Sequence, residues 1–175
     1  MPAGIEERII AEDAARIVRD AGGVVVGRTR LQKIAYLLEI AGLGSGFSFQ
    51  YRHYGPFSDE LADAISVARV LDLVSEEERT ASWGGHFSIF RTSEAAPSPN
   101  LDAARKRILE LGVEANPISL ELAATAAFLS LEGEQNPWNE TARRKPEKAE
   151  KLLDDAKALY SRLRSVGTPK ILPAI

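Results

Sequence analysis

Short apolar stripes at helical spacing, each ended by glycine or proline, constrain the fold of this 175-residue chain more than any other feature. Apolar residues three and four positions apart lie on one face of an α-helix, so each stripe predicts a helix with one buried face. Glycine and proline end such stripes, because glycine adopts left-handed backbone and proline lacks an N–H donor. The predicted helices cover 5–21, 29–41, 59–71, 99–111 and 117–131, a short segment from 137 and a long one from 146.

The buried faces of these helices can be read from the stripes. In the first helix the inward residues are predicted to be Ile9, Ile10, Ala14, Ile17, Val18 and Ala21. In the second they are Leu31, Ile34, Ala35, Leu38 and Ala41. In the third they are Leu61, Ala64, Ile65, Ala68 and Leu71, and the stripe of the helix over 117–131 ends at Phe128 and Leu131.

Two helix starts carry capping signals. Thr29 and Gln32 fit a capping box, in which both side chains satisfy free backbone N–H groups, so the second helix is predicted to begin at Thr29. Ser58 is predicted to cap the third helix. Asp59 and Glu60 then lie in its first turn, where the helix dipole favours negative charge.

Extended structure is predicted on both sides of the third helix. Alternation of the side chains predicts a strand before it, and Gly55-Pro56 is expected to turn the chain out of that strand. After it, Leu73-Val74 and residues 86–91 predict a β-hairpin whose long polar tip carries the glutamates at 76–78. The alternating residues are Phe47, Phe49, Tyr51 and His53.

The order of these elements predicts a mainly α, α+β fold. Helix, helix, extended segment, helix and hairpin is the order of a winged-helix domain, which assigns a winged-helix-like half to 1–92. The segment "TSEAAPSPN" is predicted to be a linker. A helical half at 93–175 is expected to pack on the first half as one compact unit. The terminal "ILPAI" is expected to dock on its own domain or on a second subunit.

Composition excludes several kinds of site. The chain has no cysteine and two histidines, which rules out thiolate chemistry and leaves few nitrogen ligands for a zinc or iron site. It has no Gly-x-Ser-x-Gly elbow or phosphate-binding P-loop, and "GLGSG" follows a helix rather than a strand. We therefore expect a non-enzymatic protein without cofactor or metal. A hydrolytic site around His53, with Ser58 and either Asp59 or Asp63, is a third reading. The lack of a secretory signal and of a bilayer-length apolar run predicts a cytoplasmic protein that does not bind membranes.

Charge bears on nucleic-acid binding. The chain has a net charge of −3, and its first 92 residues hold ten Lys and Arg against thirteen Asp and Glu. The outward face of the third helix would present Asp59, Glu60 and Asp63, which repel phosphates. A basic cluster near the end of the chain is the alternative nucleic-acid contact, or a face for an acidic partner. It could equally be a solvated helix surface with pairs such as Glu147–Lys151. The cluster is Arg143, Arg144, Lys145, Lys148 and Lys151.

Aromatic residues near predicted loops are the candidates for binding a protein partner. Exposed aromatic side chains in loops often act as anchors, although the same residues would also seal a core beneath the hairpin. The candidates are Tyr51, His53, Tyr54, Phe57 and Trp83.

Several segments together resemble a known group of bacterial proteins. The segments "GRTRLQKIAYLLE", "FQYRHYGPFSDEL", "LELAATAAFL" and "ARRKPEKAEKLLDDAKALYSRL" resemble the small YwgA-like proteins, and more distantly the Panacea (SocA/GepA-like) antitoxin domain. The resemblance runs from about Gly27 to Leu163. Its motif positions are Leu31, Gln32, Lys33, Tyr36, Tyr54, Gly55, Pro56 and Ser58.

The resemblance implies a helical, winged-helix-like domain without catalytic chemistry. Panacea-type proteins neutralise toxins by binding them directly. A protein partner, such as a toxin encoded nearby, is therefore the leading expectation, and a homodimer is left open. A DNA-binding winged-helix transcriptional regulator is the alternative.

Overall fold

A computed structural model describes residues 3–93 and 97–175, and its fold is mainly helical with a smaller strand content, as the sequence predicts. Part of the predicted linker, residues 94–96, lies outside the described residues. The described elements are α1 (Ala3–Asp20), β1 (Val24–Val26), α2 (Arg28–Ile40), β2 (Gln50–Arg52), β3 (Gly55–Phe57), α3 (Asp59–Val70), β4 (Val74–Thr80), β5 (His86–Thr92), α4 (Ala103–Glu114), α5 (Pro117–Leu131), α6 (Pro137–Arg144) and α7 (Pro146–Arg164).

Two antiparallel sheets are formed by the described strands. The first has the order β1-β5-β4, and the second contains β2 and β3. The predicted hairpin is confirmed, but it is longer than expected, with Val74 opposite Thr92 and Thr80 opposite His86. The glutamates at 76–78 were predicted at the tip, and this is wrong: they belong to β4. Glu76 is held there by Arg28, Arg69 and Ser88.

Helix α2 lies at the centre of the core. The predicted inward residues are all buried, and Tyr36 and Leu37 are buried as well. The predicted start is wrong by one residue, because the helix begins at Arg28 with Gly27 as its N-cap and no side-chain cap. The capping box is also wrong, since the Gln32 side chain hydrogen-bonds to the distant backbone of Ser58 instead.

The predicted inward face of helix α1 is confirmed at Ala14, Ile17 and Val18, which are buried, but it is wrong at Ile9 and Ile10, which are exposed at 42% and 38%. Alanine residues at 11 and 15 are buried instead. Small alanine side chains allow α1 to pack closely against α3. Leu71 and Leu131 were also expected to face inward, and both are exposed because their helices end at Val70 and Leu131.

The other helix predictions depend on their caps. Ser58 does cap α3, since its side chain accepts a hydrogen bond from the Leu61 amide. Helix α4 begins at Ala103 rather than at Pro99 or Asn100, because the Asp102 side chain accepts from the Arg105 amide. Asn116 caps α5, whose proline at the first helical position was predicted.

Residues from both predicted halves share one core. The buried cluster includes Ile34 of α2, Leu120 of α5 and Leu163 of α7. Arg30 adds a polar link, because its Nη1 donates to the carbonyl oxygens of Gly112, Val113 and Ala115 at the end of α4 at 2.7–3.0 Å. These carbonyls have no partner within the helix, so the guanidinium caps α4 from the other half of the chain.

The end of the chain docks on the protein itself. Leu172 is buried, the Tyr160 hydroxyl donates to the Pro173 carbonyl at 2.6 Å, and the Lys170 amide donates to the Ala41 carbonyl. Of the two sites expected for "ILPAI", the structure therefore shows the docking site within its own chain.

Substitution of Gly112 tests the close packing of α4 on α2. A Cβ at Gly112 would lie 2.6 Å from Cγ1 of Ile34, which is fully buried. We expect Gly112→Val to lower the free energy of unfolding by about 1–3 kcal/mol through overpacking. The measurement is urea unfolding, and Gly4→Val is the control, because a Cβ there meets nothing within 4 Å. Equal stability of the two variants would contradict the packing described.

Candidate functional site

Strand β3 is held in place by two buried side chains of α2. The Gln32 amide donates to the Ser58 carbonyl at 3.0 Å and accepts from the Ser58 amide at 2.8 Å. The Lys33 Nζ donates to the Pro56 carbonyl at 2.6 Å. Because both side chains are buried, these bonds replace ones that the backbone would otherwise make with water. We call these three hydrogen bonds the α2 clamp.

Gly55-Pro56 does not form the predicted turn. These residues belong to β3, opposite Arg52 and Tyr51, and the chain turns at His53 and Tyr54 instead. The φ angle of Gly55 is +89°, and a Cβ there would lie 2.4 Å from the Thr125 hydroxyl of α5. Glycine is therefore required both by its backbone conformation and by the close approach of α5.

A buried carboxylate connects α5 to the junction of α6 and α7. Glu121 is 3% exposed, and its Oε1 accepts from Lys145 Nζ at 2.8 Å and from Lys148 Nζ at 2.9 Å. Lys148 also donates to Oε2. Lys145 donates in addition to the His53 carbonyl at 3.1 Å. The pairing thus ties the β2–β3 turn to the helical half, and it compensates the desolvation of the buried charges.

Lys33 belongs to the same charged region. Burial lowers the pKa of Lys33 to about 8, an effect that Glu121 opposes and that Lys145 and Lys148 reinforce. The ammonium group is therefore mostly charged at pH 7 but loses its proton at a pH where an exposed lysine does not.

A groove of about 910 Å³ lies between the β2–β3 hairpin and the α6–α7 junction. Three of its lining residues, Arg144, Lys145 and Lys148, come from the basic cluster, and two, Tyr51 and His53, come from the aromatic candidates. The structure thus brings together two sets that the sequence leaves separate. The remaining lining residues are Arg52, Pro146 and Glu147.

The aromatic rings in and beside the groove are in contact with its cations. The Arg144 guanidinium lies 4.8 Å from the centre of the Tyr51 ring, and Lys148 Nζ lies 5.0 Å from that of Tyr54. Such cation–π contacts contribute about 0.5–1 kcal/mol at exposed sites. Tyr51 also packs on Phe128 of α5. Tyr54 packs edge-on against His53 and remains 51% exposed.

Two of the carboxylates that pair with these cations, Glu121 and Glu140, lie deeper than the cations. Arg143 and Arg144 both donate to Glu140, whose side chain is 17% exposed while that of Arg143 is 71% exposed. Hydrogen bonds from these two arginines lower the pKa of Glu140 to about 2. Lys148 is likewise more exposed than Glu121 beneath it. These two sets of ion pairs therefore present their positive groups to solvent.

Five of the candidate residues are not part of the groove lining; Tyr54 and Arg143 lie beside it, and the other three lie farther away. Phe57 lines a separate cavity of about 310 Å³ between α2, α3 and the larger sheet. Trp83 is 78% exposed at the tip of the β4–β5 hairpin. Lys151 is exposed on α7. The reading of the basic cluster as a solvated helix surface thus fits Lys151, but it does not fit Lys145, which is buried against Glu121.

The residues of the resembled motif are mostly internal. Tyr54 is exposed, whereas the other motif positions are buried and hold α2, β3 and the start of α3 together. Sequence reasoning missed Glu121, Phe128 and Glu140 as parts of this region. One signal for Glu121 was present, since it is the lone carboxylate within the apolar run of α5.

The alternative catalytic residues do not come together. Ser58 is fully buried with its hydroxyl accepting from the Leu61 amide, and Asp59 accepts from Gln50 and Arg52. The His53 ring packs against the ring of Tyr54.

The glycine-rich loop does not offer the Gly46 amide to a phosphate. This amide already donates a hydrogen bond to Glu39 Oε1 at 2.7 Å.

The outer face of α3 is acidic, as predicted. Asp59, Glu60 and Asp63 are exposed on it. Within residues 3–93 and 97–175, no group of three or more metal-ligating side chains is present, and no helix has the length and apolar character needed to cross a bilayer.

Comparisons with known proteins return no match to a family model, to a curated protein or to a solved structure. The function of the chain must therefore be inferred from its residues and their contacts.

Replacing the buried carboxylate of Glu121 tests its ion pairs with Lys145 and Lys148, which we call the Glu121 network. We expect Glu121→Gln to lower the free energy of unfolding by about 3–5 kcal/mol, because it leaves buried Lys145 without its charged partner. Glu147→Gln, the same change at an exposed groove residue, is expected to have little effect. Chemical unfolding of both variants makes the comparison, and a similar loss in each would contradict a special role for Glu121.

The lowered pKa of Lys33 predicts a pH dependence of stability. Between about pH 8 and the unfolded pKa of 10.5, the unfolded chain binds more protons than the folded one, so raising the pH stabilises the fold. We expect the free energy of unfolding of the wild type to rise relative to Lys33→Met by roughly 1–2 kcal/mol from pH 7.5 to 9.5. Parallel pH profiles of the two proteins would show that Lys33 titrates normally.

Proposed function

We propose that this is a non-enzymatic regulatory protein that acts by binding another protein, in the manner of an antitoxin. The observation that carries the proposal is the groove, where aromatic rings and cations are held in mutual contact beside the exposed Tyr54. Tyrosine and arginine are enriched among the residues that contribute most to protein interfaces.

The fixed geometry of the surface supports this proposal. The α2 clamp holds β3, and Lys145 binds the carbonyl of His53, so both ends of the β2–β3 turn are tied to buried groups. A binding surface on such a support changes little when the partner docks. The partner then meets rings and charges that are already in position.

The resemblance to Panacea-type antitoxins points in the same direction. Panacea-type proteins bind toxins directly, and Tyr54 is the one position of the resembled motif that is exposed. Because the other motif positions are buried, the motif would serve the fold of the domain and leave Tyr54 for contact with the partner.

A DNA-binding winged-helix regulator is the competing proposal. It would use the basic residues between Arg143 and Lys151, and the exposed Arg143 favours it. Its difficulty is that α3, the helix expected to enter the major groove, exposes Asp59, Glu60 and Asp63. Like charges on that face would repel the phosphate backbone, so protein binding is the better supported function.

Capture of a partner tests the proposal. The tagged protein, co-expressed with the product of its neighbouring gene, is purified at low salt and the mass of the complex is measured, which also reports any homodimer. We expect Tyr54→Ala to weaken capture at least fivefold, because it removes an exposed aromatic anchor whose loss at interfaces costs more than about 1 kcal/mol.

Two further variants serve as controls. Val70→Ala changes an exposed residue on α3 and is expected to leave capture unchanged. Trp83→Ala removes an exposed aromatic residue outside the groove and reports whether the hairpin tip contributes. Repeated purification of the protein alone, or equal capture by wild type and Tyr54→Ala, would count against the proposed surface.

A further inference from the structure

Strand β2 has an open edge beside the groove. It pairs only with β3 among the described strands, and Tyr51 lies opposite Pro56. Since proline has no N–H, this pair cannot exchange two hydrogen bonds, so it is a non-hydrogen-bonded pair of the antiparallel ladder. The N–H and C=O of Tyr51 therefore point away from β3, and no group within residues 3–93 and 97–175 hydrogen-bonds to them.

The side chains along this edge are cationic. Arg52, Arg144, Lys145 and Lys148 line the groove, with Glu147 as the one lining carboxylate. Arg52 is already paired with the exposed Asp59, so the cations offered to a ligand are those of α6 and α7. The first turn of α7 also lies there, and its N-cap residue makes no side-chain cap. The amides of that turn, together with the helix dipole, add to the attraction for a negative group.

We propose that the groove takes an extended acidic segment of the partner protein, which adds to the open edge of β2 as a further strand. The backbone of the segment pairs with the N–H and C=O of Tyr51, while its carboxylates meet Arg144 and Lys148. The inference rests on the function proposed above and names the kind of segment that the groove recognises. Strand addition of this kind uses the backbone for affinity and the side chains for specificity.

The strand geometry sets the pattern of the segment. Side chains on one face of a strand recur every second residue, about 7 Å apart. A segment with acidic residues at alternate positions therefore directs all its carboxylates to the same side. β2 has three residues, so a core of about three to five residues is enough to cover its edge.

The edge also distinguishes a peptide from a nucleic acid. A phosphodiester backbone accepts hydrogen bonds and carries negative charge, but it has no N–H to donate to the Tyr51 carbonyl. A peptide supplies both a donor and an acceptor together with its carboxylates. The free backbone pair on β2 thus favours the acidic protein segment over DNA.

The test is an NMR titration of the ¹⁵N-labelled protein with the synthetic peptide Glu-Val-Glu-Val-Glu-Val-Glu at low salt. We expect saturable shifts of the amide signals of Tyr51, Arg52 and Lys148. Two peptides of the same sequence carry N-methyl groups at alternate backbone amides, one in each register. The peptide whose methyl groups lie on the edge facing β2 is expected to bind at least fivefold more weakly, whereas the other keeps that edge free and is expected to bind like the parent. The peptide with lysine in place of glutamate is expected to give no shifts.

Matched variants test the charge contribution. Arg144→Gln is expected to weaken binding of the acidic peptide at least fivefold, whereas Arg107→Gln, at an exposed arginine of α4, leaves it unchanged. Binding of both N-methylated peptides as tight as that of the parent would overturn strand addition. Shifts confined to residues outside the groove would overturn the site, and so would a DNA duplex that displaces the peptide from the same amides.

The outcomes separate this inference from the proposed function. A captured protein partner that binds Arg144→Gln as well as the wild type, and binds Tyr54→Ala poorly, would support protein binding and overturn the acidic segment. Peptide binding at β2 by a protein that captures no partner would support the groove chemistry and remove the proposed biological role.

Discussion

The hydrogen bonds from Gln32 and Lys33 to the backbone around β3 support much of the rest of this structure. Both side chains are buried in the central turns of α2. Lys33 binds the Pro56 carbonyl, and Gln32 binds the amide and the carbonyl of Ser58, a carbonyl that also accepts from the Ala62 amide at the start of α3. Ser58, which accepts and donates in the α2 clamp, also caps α3 through its hydroxyl. The three hydrogen bonds of the α2 clamp therefore fix the position of β3, of the turn before it and of α3 after it.

In the helical half, the ion pairs of Glu121 with Lys145 and Lys148 stabilise the structure in a similar way. A carboxylate at this depth is costly unless it is paired, and Lys145 and Lys148 pair it from the junction between two helices. Because Lys145 also binds the His53 carbonyl, the position of the turn is fixed relative to α7. The rings of Tyr51 and Tyr54 and the cations next to them thus belong to one connected arrangement, although they are far apart in sequence.

Local signals made much of the fold predictable. The apolar stripe of α2, the Ser58 cap and the proline at the start of α5 depend on neighbours within one or two helical turns, and all three predictions are confirmed. The errors involve partners distant in sequence. Gln32 suits a capping box locally, but a buried carbonyl 26 residues away binds it instead. Gly55-Pro56 suits a turn, but contact with Thr125 places it in a strand. The candidate groove was likewise recognised as two unrelated sets, because Glu121, which unites them, resembles an isolated polar residue in an apolar helix.

The position of Tyr51 has a consequence for the entropy of binding. Its ring contacts both Phe128 and the Arg144 guanidinium, so folding already restricts its motion before any partner binds. Immobilising a free side chain at an interface costs about 0.5–1.5 kcal/mol. For Tyr51 this entropy cost of binding is smaller, because its contacts restrict the ring in the folded protein. The proposed partner segment of only a few residues would therefore lose less side-chain entropy at Tyr51 when it binds.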